Sequence, residues 1–344
     1  MLFFIFALSV CCKVSAVDIK VFTPYKEKSE QAVERGLNYL AAVQLEDGSF
    51  PGSYGKSTGI VSLVGMSFLS KGYTALSGKY SLFLKKCIAY LLNNQHKNGL
   101  IAHKSSRNEV MYSHNISTLF LSEVSGMVDL ELQKKIDSAL PEALRLILAA
   151  QQVEKEWRYA GGWRYFPSSR DSDVSCSGWA LMALRSAKMN GAPVPDDSIN
   201  AAVNFIIRNS DPDTGTFGYM DSRTHNKSLT GAGVLCLELT GAHGERTTKL
   251  GGDYILTIFK VPMNWQYYGN YYNAQAMFQL GGKYWKSFAD WFYPVYLAKQ
   301  NPDGSWPKKN ISEVYATAMT LLALTVPYRQ LPIYQRDETV GGFK

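Results

Sequence analysis

Apolar residues recur at three- and four-residue spacing along most of the chain, and this period predicts amphipathic helices arranged in pairs. The segments 29–43 and 57–71 form the first pair, followed by 81–94 with 111–127 and 132–152 with 173–189. The pairs 198–208 with 228–241, 247–259 with 265–279, and 285–299 with 312–326 complete the set. With its loops each unit is roughly 45 to 60 residues long, the length of a helical repeat. The two members of a pair differ in kind. The second is poor in charge and rich in Ala, Leu, Ser, Thr and Gly, as in Gly178-Trp179-Ala180-Leu181-Met182-Ala183-Leu184. The first carries the charges, as between Glu27 and Arg35 or at Lys85-Lys86. A helix without charge must be covered on most sides, whereas a one-sided helix faces water. Alternating the two kinds predicts an all-α fold with an inner ring of helices wrapped by an outer one, an α/α toroid. About six pairs suffice to close it. Pro and Gly fall between the segments and no linker divides them, so 17–344 reads as a single domain.

A second pattern marks the junctions within pairs. A Gln ends the first helix, a Gly follows four residues later and an apolar or aromatic residue two after that: Gln44, Gly48 and Phe50; Gln95, Gly99 and Ile101; Gln300, Gly304 and Trp306. Looser copies occur at Gln151 with Gly162-Trp163 and at Asn209 with Gly215 and Phe217. The amide can satisfy backbone groups orphaned at helix ends, the Gly supplies a turn, and the ring covers the junction. These residues are expected to be structural.

Composition adds limits. A hydrophobic share of 46% against 19% charged residues supports a large core and excludes disorder as the ground state. The net charge of +7 is scattered, and no basic stripe interleaves with stacking aromatics, which argues against nucleic acid as a partner. Residues 1–16 read as a signal peptide: an apolar run from Leu2 to Cys12 precedes Val14-Ser15-Ala16, with small residues at the cleavage positions. The chain is therefore expected to be exported, to the periplasm or beyond. Leu8-Ser9-Val10-Cys11 makes a poor lipoprotein box because Val10 is bulky, so lipid anchoring is the lesser alternative. No later apolar stretch is long enough to span a bilayer, leaving at most peripheral membrane contact. Beyond the signal, Cys87, Cys176 and Cys236 stand far apart and show no metal-binding spacing, as expected of buried thiols. The sequons at Asn115, Asn226 and Asn310 matter only in a glycosylating pathway.

The stretch Gln300 to Trp306 resembles the QW repeat of the prenyltransferase and squalene oxidase repeat family. Gly161-Gly162-Trp163-Arg164-Tyr165, followed by Asp173-Val174-Ser175-Cys176-Ser177-Gly178-Trp179, is similar to the third barrel turn of protein prenyltransferase β subunits. Tyr271-Tyr272-Asn273-Ala274-Gln275-Ala276-Met277 and Tyr315-Ala316-Thr317-Ala318 resemble exported bacterial members. The likeness covers nearly all of the mature chain, implies the α/α toroid, and leaves the reaction open.

The chemistry of that family is incomplete here. Its prenyltransferases hold zinc with an Asp, a Cys two residues later and a distant His. Asp173 matches the first, but Ser175 and Ala316 stand at the other two places, and Cys176 is one position out of register. No metal, no cofactor and no obligate partner subunit is expected. Cyclases of the family use an Asp-x-Asp-Asp acid, a buried carboxyl kept protonated to attack an alkene. Asp173 corresponds to its first Asp, while Ser175 and Cys176 replace the other two. Asp171, just upstream, is the candidate to take over as the acid, so Asp171 and Asp173 are candidate catalytic residues. Alternatively, Asp171 and Asp173 both cap the helix that begins there. His114 is a candidate base or a histidine satisfied by the backbone. Trp163, Arg164, Tyr165, Cys176, Trp179, Tyr271, Tyr272 and Tyr315 are the expected cavity and ligand residues, with Trp265, Tyr267 and Tyr268 beside the same segments. Their rings either stabilise cations in a lined cavity or fill a wide toroid. Three functional readings follow: a toroid that binds an isoprenoid or other apolar small molecule, as terpene cyclases and prenyltransferases do; a polysaccharide-acting, lyase-like enzyme; or a non-catalytic envelope scaffold.

Overall fold

The computed structural model describes residues 20–335, except 53, 107, 242 and 243. The signal segment 1–16 lies outside the described residues. Twelve α-helices account for most of what is described. The outer set comprises α1 (Lys26–Val43), α3 (Ser81–Asn93), α5 (Leu130–Gln151), α7 (Asp196–Arg208), α9 (Arg246–Ile258) and α11 (Gly282–Leu297). The inner set comprises α2 (Thr58–Leu69), α4 (Val110–Val124), α6 (Val174–Met189), α8 (Thr230–Leu239), α10 (Gln266–Leu280) and α12 (Glu313–Leu324).

Each inner helix packs on the next, and α12 packs back on α2, so the inner ring is closed. Every residue of α2 and of α8 is buried. Outer helices bury one face; in α7 it is Ser198, Ala202, Val203, Phe205 and Ile206, a three- and four-residue spacing. Trp179, Met277 and Leu321, all on inner helices, are at most 2% exposed. The inner helices run in one direction. Their amino ends meet through Ser57 with Ser113 (3.1 Å) and Ser175 with Tyr268 (2.8 Å). Their carboxy ends meet through Ser186 with Ser122 (2.8 Å) and Thr325 with Ser70 (2.8 Å). The ring therefore has an amino rim and a carboxy rim.

The Gln–Gly–aromatic junctions do the stitching. Gln95 Nε2 donates to Ala139 O (2.8 Å), Gln151 Nε2 to Ser198 O (2.9 Å) and Gln44 Nε2 to Phe83 O (3.3 Å); in each case the acceptor belongs to the next outer helix or its first turn. The same amides also donate to the carbonyls of Gly99, Gly161 and Gly48. In the last repeat the next outer helix is the first one. Gln300 Nε2 donates to Ala32 O (2.8 Å) and to Gly304 O (2.9 Å), and the Arg35 guanidinium donates to Gln300 Oε1. The Trp306 indole donates to Tyr296 O (2.8 Å), and its main-chain amide to Thr317 Oγ1 (2.9 Å). One local rule, applied at four of the six junctions, makes both a solenoid step and the final seal.

Candidate functional site

The amino rim carries the chemistry. Loop 152–173 enters α6 through Trp163, which is buried, with its indole donating to Ile147 O (2.7 Å) and its amide to Ser177 Oγ (2.8 Å). Trp163 is thus a wedge between the rings. The main-chain amide of Asp173 donates to Trp163 O (3.0 Å) and that of Val174 to Tyr219 O (2.9 Å), which fixes the start of α6. Asp173 is its N-cap: Oδ1 accepts from the Cys176 amide at 2.8 Å. Asp171 does not cap. Its carboxylate pairs with Arg164 Nη1 at 2.6 Å, because the chain turns before α6 and leaves Asp171 beside the guanidinium.

Asp173 is fully buried, and Oδ2 accepts no hydrogen bond among the described residues. The nearest cationic atom is Arg164 Nε at 3.8 Å. Burial is the largest influence and outweighs the Cys176 amide and Arg164, so the carboxyl titrates at about 7. Around it lie four partly exposed tyrosines. Tyr112 OH reaches Oδ1 at 3.5 Å; Tyr165 and Tyr219 share a hydroxyl contact at 2.5 Å; Tyr268 bonds Ser175. The Arg164 guanidinium lies over the rings of Tyr165 (4.9 Å) and Tyr219 (5.7 Å). A buried acid, a cation and four phenols thus border one polar mouth.

Beneath the mouth, aromatic side chains fill the ring. Trp179 stacks on Tyr271 (5.7 Å, 10°) and tilts against Tyr272 (5.4 Å), which touches Tyr268 (4.8 Å). Tyr271, Tyr272 and Trp179 are all buried, and the Tyr272 hydroxyl has no hydrogen-bond partner among the described residues. Tyr315 is buried close to Tyr271, its amide held by Ser312 Oγ (3.1 Å). Cys176 is buried, with Sγ donating to Arg164 O (3.3 Å), so it braces the loop from behind. Trp265 is half exposed, at the N-cap of α10.

His114 belongs elsewhere. Its ring lies between α4 and α5, where Nδ1 accepts from the Ile101 amide (3.0 Å) and Nε2 donates to Ala143 O (3.1 Å). Burial pushes its titration down to about 4. Both nitrogens are engaged by the backbone, so neither is offered to a bound molecule. Of the sequence candidates, the structure brings together Asp171, Asp173, Arg164 and Tyr165 at the mouth and Trp179, Tyr271, Tyr272 and Tyr315 below it. The sequence reading missed Tyr112 and Tyr219. Tyr219 had one signal, its place two residues after Phe217 in a junction. Ser175 is engaged by Tyr268, and Ala316 lies buried in α12.

Two buried carboxyls set the pH behaviour. Asp173 and, at the opposite rim, Glu123 both titrate at about 7 because burial disfavours their charged forms. Their folded-state values lie above the unfolded ones, so the stability they contribute is complete below pH 4 and is lost as pH rises through 7. His114 works the other way, its contribution fading as pH falls from 6.5 through 4. His103 is also lowered, by burial and then by Lys56 and Lys104, and opposes the carboxyls in the same direction as His114. The two carboxyls, displaced furthest across this window, still leave a net excess of bound protons in the folded state. Stability is therefore expected to increase on going from pH 6.5 to pH 5. Urea midpoints at the two values check it; an equal or lower midpoint at pH 5 contradicts the burial of both carboxyls.

No protein-family model matches the chain, and no curated protein matches it. Solved structures do. A reducing-end xylose-releasing exo-oligoxylanase is similar with a TM-score of 0.59 at 13% identity, over 92% of this chain and 96% of the other. A type II terpene cyclase from Scytonema, in complex with geranylgeranyl dihydroxybenzoate, gives 0.55 at 13% identity over 90% and 99%. A GH76 alpha-mannanase from Bacteroides thetaiotaomicron gives 0.56 at 11% identity over 91% and 98%. The chain is an α/α toroid. At these identities the likeness carries the fold alone, and it is shared between a terpene cyclase and glycoside-cleaving enzymes. Among the described residues no helix is long and apolar enough to cross a membrane.

Proposed function

We propose that this chain is an exported, single-domain toroid that performs acid-assisted cleavage of a carbohydrate at its amino rim, with Asp173 as the proton donor. One observation carries the reading: a fully buried carboxyl, half protonated near neutral pH, with one oxygen unsatisfied, stands in a mouth of phenols beside Arg164. A glycosidic oxygen must be protonated by such a group while a second carboxylate serves the opposite side of the bond. Asp171, paired with Arg164 at 2.6 Å, is the neighbouring carboxylate proposed for that role. Tyrosine hydroxyls and flat rings suit a sugar, which presents hydroxyls at its edge and C–H groups on its face. The exo-oligoxylanase and the alpha-mannanase support the substrate class by what their names say of them.

A second reading, binding and cyclisation of an isoprenoid, is favoured by the Trp179, Tyr271 and Tyr272 cluster below the acid, whose faces would stabilise a cation. That cluster also occupies the space an isoprenoid would need, which ranks this reading second. Incubation with xylo-oligosaccharides, mannan and uronate polymers, and separately with a geranylgeranyl-bearing phenol, tests both by mass spectrometry. New reducing ends support the first reading. A cyclised, isobaric product replaces it with the second, and unchanged substrates in every arm leave the scaffold reading in place of both.

A further inference from the structure

The carboxy rim holds a second built site, and its occupant is the chain itself. After α12 the backbone passes through Arg329, in the left-handed region (φ 51), and residues 331–335 enter the ring as a single tight turn. Three inner helices grip this turn, almost entirely by its main chain. Glu123 of α4 accepts from the Ile333 amide at 3.1 Å. The Arg185 guanidinium of α6 donates to Ile333 O and, at 2.8 Å, to Gln335 O. Gln279 Nε2 of α10 donates to Tyr334 O at 2.8 Å. Glu123, Arg185 and Gln279 are each at most 7% exposed, and Ser186 donates to the other oxygen of Glu123. The Tyr334 hydroxyl meets that of Tyr271 in the centre of the ring.

A permanent plug would be served better by apolar side chains, because a buried carboxyl and guanidinium are costly to desolvate. Here they are spent on amide and carbonyl groups that every peptide possesses, while Ile333 and Tyr334 fill the hole with shape. Main-chain hydrogen bonding combined with side-chain pockets is the physical basis of peptide recognition. The segment is joined to α12 only by a short connection through Arg329 in the left-handed region. We propose that the carboxy rim is a peptide-binding site and that residues 331–335 are a displaceable plug seated in it. When seated, the plug closes the ring from this side and holds Tyr271 against Trp179.

The test needs no turnover, so its failure is separate from failure of the carbohydrate reading. A chain ending at Gln330 is titrated with a capped, fluorescein-labelled pentapeptide, Leu-Pro-Ile-Tyr-Gln, and followed by anisotropy. Saturable binding at micromolar concentration is expected, weakened at least tenfold by Arg185→Ala and absent for a scrambled peptide. A truncated chain that keeps its helical circular dichroism yet binds nothing at millimolar peptide overturns the proposal. Should the shortened chain not fold, hydrogen exchange on the full chain decides. Arg185→Ala should then speed exchange across 331–335 at least tenfold while α2 and α8 stay protected. Unchanged protection of Ile333 in that variant refutes the clamp.

Discussion

Gly304→Ala is expected to remove about 3–5 kcal/mol from the stability of this protein, a large share of the 5–15 kcal/mol typical of a folded chain. Two effects add. Gly304 has φ +93, where an L side chain strains the backbone by roughly 1–2 kcal/mol. A Cβ there would also lie 2.4 Å from the Arg35 carbonyl oxygen, which is committed within α1 and has no room to withdraw. Gly78 separates the two, since its φ is +96 but nothing lies within 4 Å of a Cβ. Gly78→Ala should therefore show the strain alone. Urea denaturation of the two variants checks the difference; equal losses would mean that the close approach between the last repeat and the first helix has no energetic weight.

Asp173→Asn is expected to lower turnover by about 10²–10⁴-fold while leaving the fold nearly untouched. An amide oxygen can still accept from the Cys176 amide, so the cap of α6 survives, and the neutral side chain removes a buried titrating group. Asp173→Ala should behave differently, losing the cap and about 1 kcal/mol besides. Reading kcat beside the urea midpoint for both variants separates proton donation from capping. Full activity in the Asn variant would assign Asp173 to structure alone.

The architecture was legible because its causes are local. Charge alternation between paired segments told inner from outer helices, and the Gln–Gly–aromatic junctions behave as their chemistry required. Asp173 was readable as a cap for the same reason. The sites were less legible because they are assembled from distant segments. Tyr219 meets Arg164 and Tyr165 across more than fifty residues, and nothing near either announces the meeting. Asp171, read as either a cap or an acid, does not cap and pairs with Arg164. Glu123, Arg185 and Tyr334 have no common motif and come together only because the inner helices run in one direction. The aromatic density left two readings open, a lining or a filling. Trp179, Tyr271 and Tyr272 are packed against one another, so in this structure they fill.

The seal between Gln300 and Ala32 joins positions 268 apart in the chain. Until the final repeat has been synthesised, whatever precedes it is an arc with an apolar edge at each end. An open stack of repeats can shed a terminal unit and re-cap, but a circle that loses one unit is left with two raw faces. Removing a whole repeat from this ring is therefore expected to expose apolar edges and promote aggregation rather than yield a smaller working protein.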